Sequence, residues 1–307
     1  MLNSLRDHEK YISICMEFRC NLKCVHCMIE GTMDDLNAST DEQFEDILKT
    51  QHRTGQWRGL VLTGAEITLR RDLSDLAKRA KDSGFENVRI QTHGMHLHRE
   101  DYARKLVESG VDEYFISVAG SDRETHDKIT QVPGSWDKMV MGMENLSAFP
   151  HVKILTNTVV TKLSYRLLPD ASTFLSSIGN LVQMEFWNYW PMSEKDDRGL
   201  LANYQDVQPY LLEAIEIAHQ NNKAVEVKNF PRCMLGEKDD TLVNEQPTLL
   251  IDANFWEEFD RNNFLLCPHQ DRCNSGDCMG LSEAYIKEFG DGRDYLTPYP
   301  LTPRADR

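Results

Sequence analysis

Three cysteines near the start of the sequence, Cys20, Cys24 and Cys27, follow a C-x3-C-x2-C spacing. Three thiolates can hold three irons of a [4Fe–4S] cube and leave the fourth iron open to a further ligand, whereas a four-cysteine site is coordinatively closed. The run follows the first strand-like segment, Tyr11–Phe18, where an α/β chain usually places its chemistry. A zinc knuckle is the alternative, because Cys24-Val25-His26-Cys27 has C-x2-C spacing and a nearby histidine. No second C-x2-C or paired histidine stands close to it in sequence.

Four more cysteines lie late, at Cys233, Cys267, Cys273 and Cys278, and residues 28 to 232 contain none. That distribution suggests two separate metal sites rather than a disulfide network, because nothing in the sequence points to export. Four thiolates in a small region can close an auxiliary [4Fe–4S] cluster. A four-cysteine zinc site is the competing reading. A third leaves Cys233 free beside a three-cysteine cluster.

The elements that must position these groups follow from periodicity. Candidate strands run over Tyr11–Phe18, Gly59–Thr63, Asn87–Thr92, Glu113–Val118, Val152–Val160 and Leu181–Trp187. Helical periods fall between them at Asp41–Thr54, Asp72–Ser83, Ser135–Ala148 and Asp206–Asn221, with Thr40–Asp41 and Ser135 as candidate caps. Alternation of strands and helices implies a parallel sheet with helices outside, and right-handed crossovers curl it into a full or partial barrel. The expected fold is α/β: a partial (β/α)6 TIM-like barrel over residues 1–222, then a small cysteine-rich region over 223–307. In that second part Ala224–Lys228 reads as a strand. Reactive groups then converge at the carboxyl ends of the strands.

With the loops that follow those strands, the cysteine run resembles the radical S-adenosylmethionine (SAM) superfamily. Thr63-Gly64-Ala65-Glu66 resembles the Gly-Gly-Glu-Pro loop that lines the methionine part of SAM. Gln91-Thr92-His93-Gly94 resembles a Thr-Asn-Gly strand end. Ile116-Ser117-Val118-Ala119-Gly120, then Glu124 to Thr130, resembles the Ser-Leu-Asp-Gly and His-Asp-x-Ile-Arg stretches of the branch with extra clusters. The resemblance implies SAM contacts at Gly64, Ala65, Glu66, Thr92, Ser117, Asn157 and Trp187. The aromatic run Trp187-Asn188-Tyr189-Trp190 is open to two readings, core packing or stacking on adenine or substrate. The late cysteines resemble a Twitch-type extension, a shortened relative of the SPASM domain.

The resemblance implies an enzyme of oxidoreductase or epimerase type. A reduced cluster held by Cys20, Cys24 and Cys27 would chelate SAM, one electron would cleave it, and a 5′-deoxyadenosyl radical would take a substrate hydrogen atom. An electron donor such as flavodoxin or ferredoxin is the implied partner. The expected task is cross-linking, oxidation or epimerisation of a ribosomal peptide, a natural-product tailoring step. An aminocyclitol or sugar is the alternative substrate, and a non-catalytic iron–sulfur or zinc protein is the alternative of another class. Cys233, if free, would be a hydrogen donor to the substrate radical, as in some related epimerases. Only 19 residues precede Cys20, so a leader peptide is expected to be recognised elsewhere or by a partner.

Composition sets the outer limits. With 307 residues, 40% hydrophobic and 27% charged, the chain can bury a large core. A net charge of −15 disfavours binding along a nucleic-acid backbone. No apolar run approaches the roughly 20 residues that span a bilayer. The charged start MLNSLRDHEK has no signal-peptide core, so the expected location is the reducing cytoplasm.

Overall fold

The structure is a computed structural model, and it describes residues 7–31 and 35–299. Eight strands form one sheet: β1 (Tyr11–Glu17), β2 (Gly59–Gly64), β3 (Asn87–Thr92), β4 (Glu113–Ser117), β5 (Lys153–Val160), β6 (Leu181–Asn188), β7 (Ala224–Lys228) and β8 (Thr248–Leu250). Their order is β7-β6-β5-β4-β3-β2-β1-β8, and every pairing is parallel. The first six strands are the expected ones, within two residues at each end. The sheet extends further on both edges with chain from beyond residue 222: β7 pairs with β6, and β8 pairs with β1.

Strand alternation separates two faces. Ile12, Ile14 and Met16 of β1, Leu60 and Leu62 of β2, Val88 and Ile90 of β3 and Ile116 of β4 join one apolar core with the helices. The alternate positions carry polar groups that are buried all the same, among them Ser13, Thr63, Arg89, Glu113, Gln183, Glu185 and Glu226. A purely apolar parallel strand is the usual pattern when both faces are covered. Here the concave face is instead a polar lumen.

The helices are α1 (Asp41–Thr54), α2 (Leu73–Asp82), α3 (Glu100–Glu108), α4 (Arg123–Thr130), α5 (Ser135–Ser147), α6 (Leu168–Ser176), α7 (Tyr204–Gln220), α8 (Asn254–Phe259) and α9 (Glu283–Phe289). Thr40 caps α1 as expected: its hydroxyl accepts from Gln43 N, and Gln43 Oε1 accepts from Thr40 N in return. The second expected cap is displaced by one residue. Gly134, at φ +80°, holds the N-cap position of α5, and Ser135 opens the helix with its hydroxyl on Asp127 Oδ1 at 2.8 Å.

Ion pairs close the amino-terminal end of the lumen. Arg89 Nε donates to Glu113 Oε2 at 2.9 Å, Tyr11 OH reaches the same oxygen at 3.2 Å, and the Arg89 guanidinium lies 4.8 Å over the Tyr11 ring. Burial, with Glu113 nearby, pushes the Tyr11 phenol up to about 12. On the other flank His8 Nε2 meets Glu226 Oε2 at 3.1 Å and Lys228 Nζ meets it at 2.9 Å.

Candidate active site

The cysteine loop leaves β1 at Glu17 and docks on the carboxyl end of α4. Lys23 N donates to Thr130 O at 3.1 Å and Val25 N to Ile129 O at 2.9 Å. These bonds occupy carbonyls that a helix end leaves without partners. Arg198, from the segment between β6 and α7, grips the other side of the loop. Its guanidinium donates to Val25 O at 3.2 Å, Cys27 O at 2.5 Å and Glu30 O at 2.8 Å. No sequence motif marks Arg198.

All eight cysteines are free thiols. Burial, then the neighbouring Cys27 and Cys20 thiols, raises Cys24, and burial pushes Cys20 up to about 11. Backbone amides already point at two of the sulfurs: Leu22 N lies 3.4 Å from Cys20 Sγ and Glu30 N 3.3 Å from Cys27 Sγ. Amide donors of this kind tune iron–sulfur clusters. Among the described residues no three His, Cys, Asp or Glu side chains converge tightly enough to hold a single ion. A zinc site draws its sulfurs to about 2.3 Å of one point, whereas cysteines around a four-iron cube stand further apart. The donor set fits a cluster better than a lone zinc.

Beside these cysteines lies a cavity of about 140 Å³ lined by Cys20, Cys24 and Cys27 together with the ends of β2 to β5. Gly64, Ala65, Thr92, Ser117 and Asn157, all expected at a SAM site, line it, as does His26. Gly64 is required by close approach. A Cβ there would fall 2.0 Å from the carbonyl oxygen of Glu17, and Ala65 N donates to that same oxygen at 2.7 Å.

Two expected contacts are placed differently. The Glu66 carboxylate is fully buried and turned into the protein. It accepts from Thr92 Oγ1 at 2.7 Å, His93 N at 2.8 Å and Thr68 N at 2.9 Å, and from the Thr68 hydroxyl. It also lies 3.1 Å from His93 Nε2. His93 Nδ1 accepts from Met95 N, so the neutral ring carries its proton on Nε2, where Asn21 Oδ1 waits at 2.7 Å. Burial lowers His93 and favours that neutral form. Glu66 thus links β2, β3 and the cysteine loop. Trp187 lies outside the lining: its indole N–H is donated to Glu185 Oε2 at 2.8 Å, within the polar lumen.

The late cysteines meet as well. Burial, then the neighbouring thiols Cys278 and Cys267, pushes Cys233 up to about 11, and Cys267 is raised by burial and by Cys278 and Cys273. Arg232 N and Gly280 N both approach Cys278 Sγ, at 3.4 and 3.3 Å, and Tyr299 N lies 3.4 Å from Cys273 Sγ. Backbone amides of Thr297 and His269 serve Cys233 and Cys267. Cys233 is thus within electrostatic reach of Cys278 and Cys267. The quartet with its amide donors fits a closed cluster.

A half-open parallel barrel with a three-cysteine loop at the mouth defines a class of protein. Residues 16–162, just under half of the chain, match the family model described as the Radical SAM superfamily. It is 29% identical over 181 residues to a probable GTP 3′,8-cyclase of Methanopyrus kandleri, covering 59% of this chain and 57% of that one. It is 30% identical over 177 residues to an Fe-coproporphyrin III synthase of Methanosarcina barkeri, covering 55% and 41%. The chain thus matches about half the length of these relatives. Among solved structures, native anSMEcpe with bound AdoMet and a peptide superimposes with a TM-score of 0.57 at 17% identity, covering 70% of this chain and 64% of that one. Members of the family use a [4Fe–4S] cluster and SAM, and auxiliary clusters occur among related enzymes. Among the described residues no helix is long and apolar enough to cross a membrane.

Proposed function

We propose that the chain cleaves SAM reductively to modify a peptide, with Cys20, Cys24 and Cys27 holding the SAM-binding cluster and Cys233, Cys267, Cys273 and Cys278 holding an auxiliary one. The observation that carries this reading is the cavity in which those first three cysteines meet Gly64, Ala65, Thr92, Ser117 and Asn157. When bound, the cluster and SAM supply a radical able to take hydrogen from an unactivated C–H bond. The chain's own residues bind, orient and exclude water. Gly64 gives the room for close approach, and the polar ends of β3 to β5 offer Thr92, Ser117 and Asn157 as hydrogen-bonding groups. Glu66 acts behind the cavity, holding Thr92 and His93 in place. Four cysteines in the auxiliary set suit electron transfer rather than substrate ligation, because a closed cluster has no open iron. A small electron-transfer protein is the proposed reductant.

The names of the relatives raise a nucleotide substrate as the second reading, and cyclisation of GTP is its form. A triphosphate calls for clustered free cations. Among the described residues, the cations lining the cavity on the far side of the cysteine loop are Lys195, Arg198 and Arg261; Arg198 is held by three loop carbonyls and Arg261 by Glu258, which favours a peptide over a triphosphate.

The test is anaerobic reconstitution with iron and sulfide, then SAM and a strong reductant. Formation of 5′-deoxyadenosine, with about eight irons per chain, is expected. Zinc content without SAM cleavage would overturn the proposal.

A further inference from the structure

Thr297-Pro298-Tyr299-Pro300 places a proline at every second position of the sequence. A residue before proline is pushed into extended backbone, which applies to both Thr297 and Tyr299. In extended backbone, groups two residues apart face the same side. The residue between them, Pro298, has no N–H to offer the other side. The pattern makes a ribbon with hydrogen-bond donors along one edge only.

That edge meets the late cysteines. Tyr299 N lies 3.4 Å from Cys273 Sγ, and the amide of Thr297 serves Cys233. Tyr299 belongs to none of the apolar clusters among the described residues, so core packing is not what fixes it. Polar contacts hold it instead. Its carbonyl accepts from Asn274 N at 3.2 Å. Its phenol is hydrogen-bonded to the Asp239 carboxylate, and the Arg232 guanidinium lies 5.3 Å over its ring. Arg232 is 7% exposed, and its Nε donates to Asp239 Oδ2 at 3.0 Å. The backbone amide of the same Arg232 points at Cys278 Sγ. Asp239, Arg232 and Tyr299 therefore form one clamp, and its members carry the amides aimed at Cys278 and Cys273.

We propose that residues 297–299 are part of the auxiliary cluster's binding site: a one-edged strap, locked by Tyr299, that gives amide donors to two of the four cysteine sulfurs and retains the cluster. The inference rests on the auxiliary-cluster reading proposed above. No cysteine motif marks this strap, because its contribution is made by backbone atoms.

The full chain carrying C20A, C24A and C27A leaves only the late cysteines to bind the iron of a cluster. It is produced with nitrogen-15 tyrosine, loaded anaerobically with iron and sulfide, and reduced. About four irons per chain are expected. Pulsed electron paramagnetic resonance should show a nitrogen-15 coupling to the cluster. Y299F carries an unlabelled residue at that position and should lose the coupling. Iron loss to a chelator gives a second readout. Y299A removes both the ring beneath Arg232 and the phenol on Asp239, so it should release iron about tenfold faster than its parent. Y299F keeps the ring and should stay within about threefold of the parent. No coupling, a coupling that persists in Y299F, or equal iron release by Y299A and its parent would overturn the inference while leaving the cluster in place. Only about four irons per wild-type chain, with none in the three-alanine chain, would sink the auxiliary-cluster reading itself and the strap with it.

Discussion

Replacing Glu66 by Gln tests whether this carboxylate organises the site from behind. Oε1 collects Thr68 N, the Thr68 hydroxyl and Thr92 Oγ1, while Oε2 collects His93 N and lies 3.1 Å from His93 Nε2. A glutamine can keep its oxygen on the first set only by turning its NH2 toward the His93 amide, which is itself a donor. One charge-assisted bond is lost, at about 1.5–3 kcal/mol, and a buried N–H is left without an acceptor, at about 1–3 kcal/mol more. Some relaxation of the loop offsets this, so a total near 3 kcal/mol is expected. With a urea m-value on the order of 3 kcal/mol per molar, the midpoint should fall by about 1 M. The Asn21–His93 contact should loosen with it, seen as faster amide exchange over residues 20–27. An unchanged midpoint with unchanged slope would refute the reasoning, since a fully buried carboxylate with four donors cannot lose its charge for nothing.

Other outcomes follow from the same geometry. G64A places a methyl carbon against the Glu17 carbonyl and should cost roughly 2–4 kcal/mol, measurable as a lowered thermal midpoint. R198A frees three carbonyls of the cysteine loop and should speed iron release to a chelator severalfold, with R198K intermediate, because a lysine cannot reproduce the fork. Single serine replacements of Cys20, Cys24 or Cys27 should leave about four of about eight irons per chain, and C267S should remove the other set. Glu226 is pushed up by burial, but the His8 hydrogen bond and the Lys228 charge outweigh this and hold it at about 2. Its folded value lies below an unfolded value near 4.3, so it contributes stability that is complete above about pH 5 and lost as pH falls toward 2. E226Q should therefore flatten the acid limb of a stability–pH curve between pH 5 and 2; an unaltered limb would contradict the assignment.

The barrel was legible because each strand announces itself twice, by a short apolar alternation and by the turn residues after it. The cysteines were legible because their spacing is itself the geometry. β8 was not: Thr248-Leu249-Leu250 is too short to show a period, and it becomes a strand only because the free edge of β1 is there to pair with it. Arg198 shows the same limit at the site. A lone arginine in a loop has no pattern, and its value comes from three carbonyls distant in sequence. Glu66 was recognised as important from its strand-end position, whereas the direction of its carboxylate depends on Thr92 and His93 of the next strand.

The pairing of Ile12, Ser13 and Ile14 with Thr248, Leu249 and Leu250 bears on how the protein is born. A ribosome adding about 5–20 residues per second needs tens of seconds to travel from one partner to the other. Throughout that interval the outer rim of the first strand emerges bare, with unmet amides and carbonyls open to any extended neighbour. The nascent polypeptide must therefore be shielded, or the first seven strands must zip up together and wait for the last short piece to seal the margin. Iron loading at the adjoining loop would then be best deferred until that seal is made.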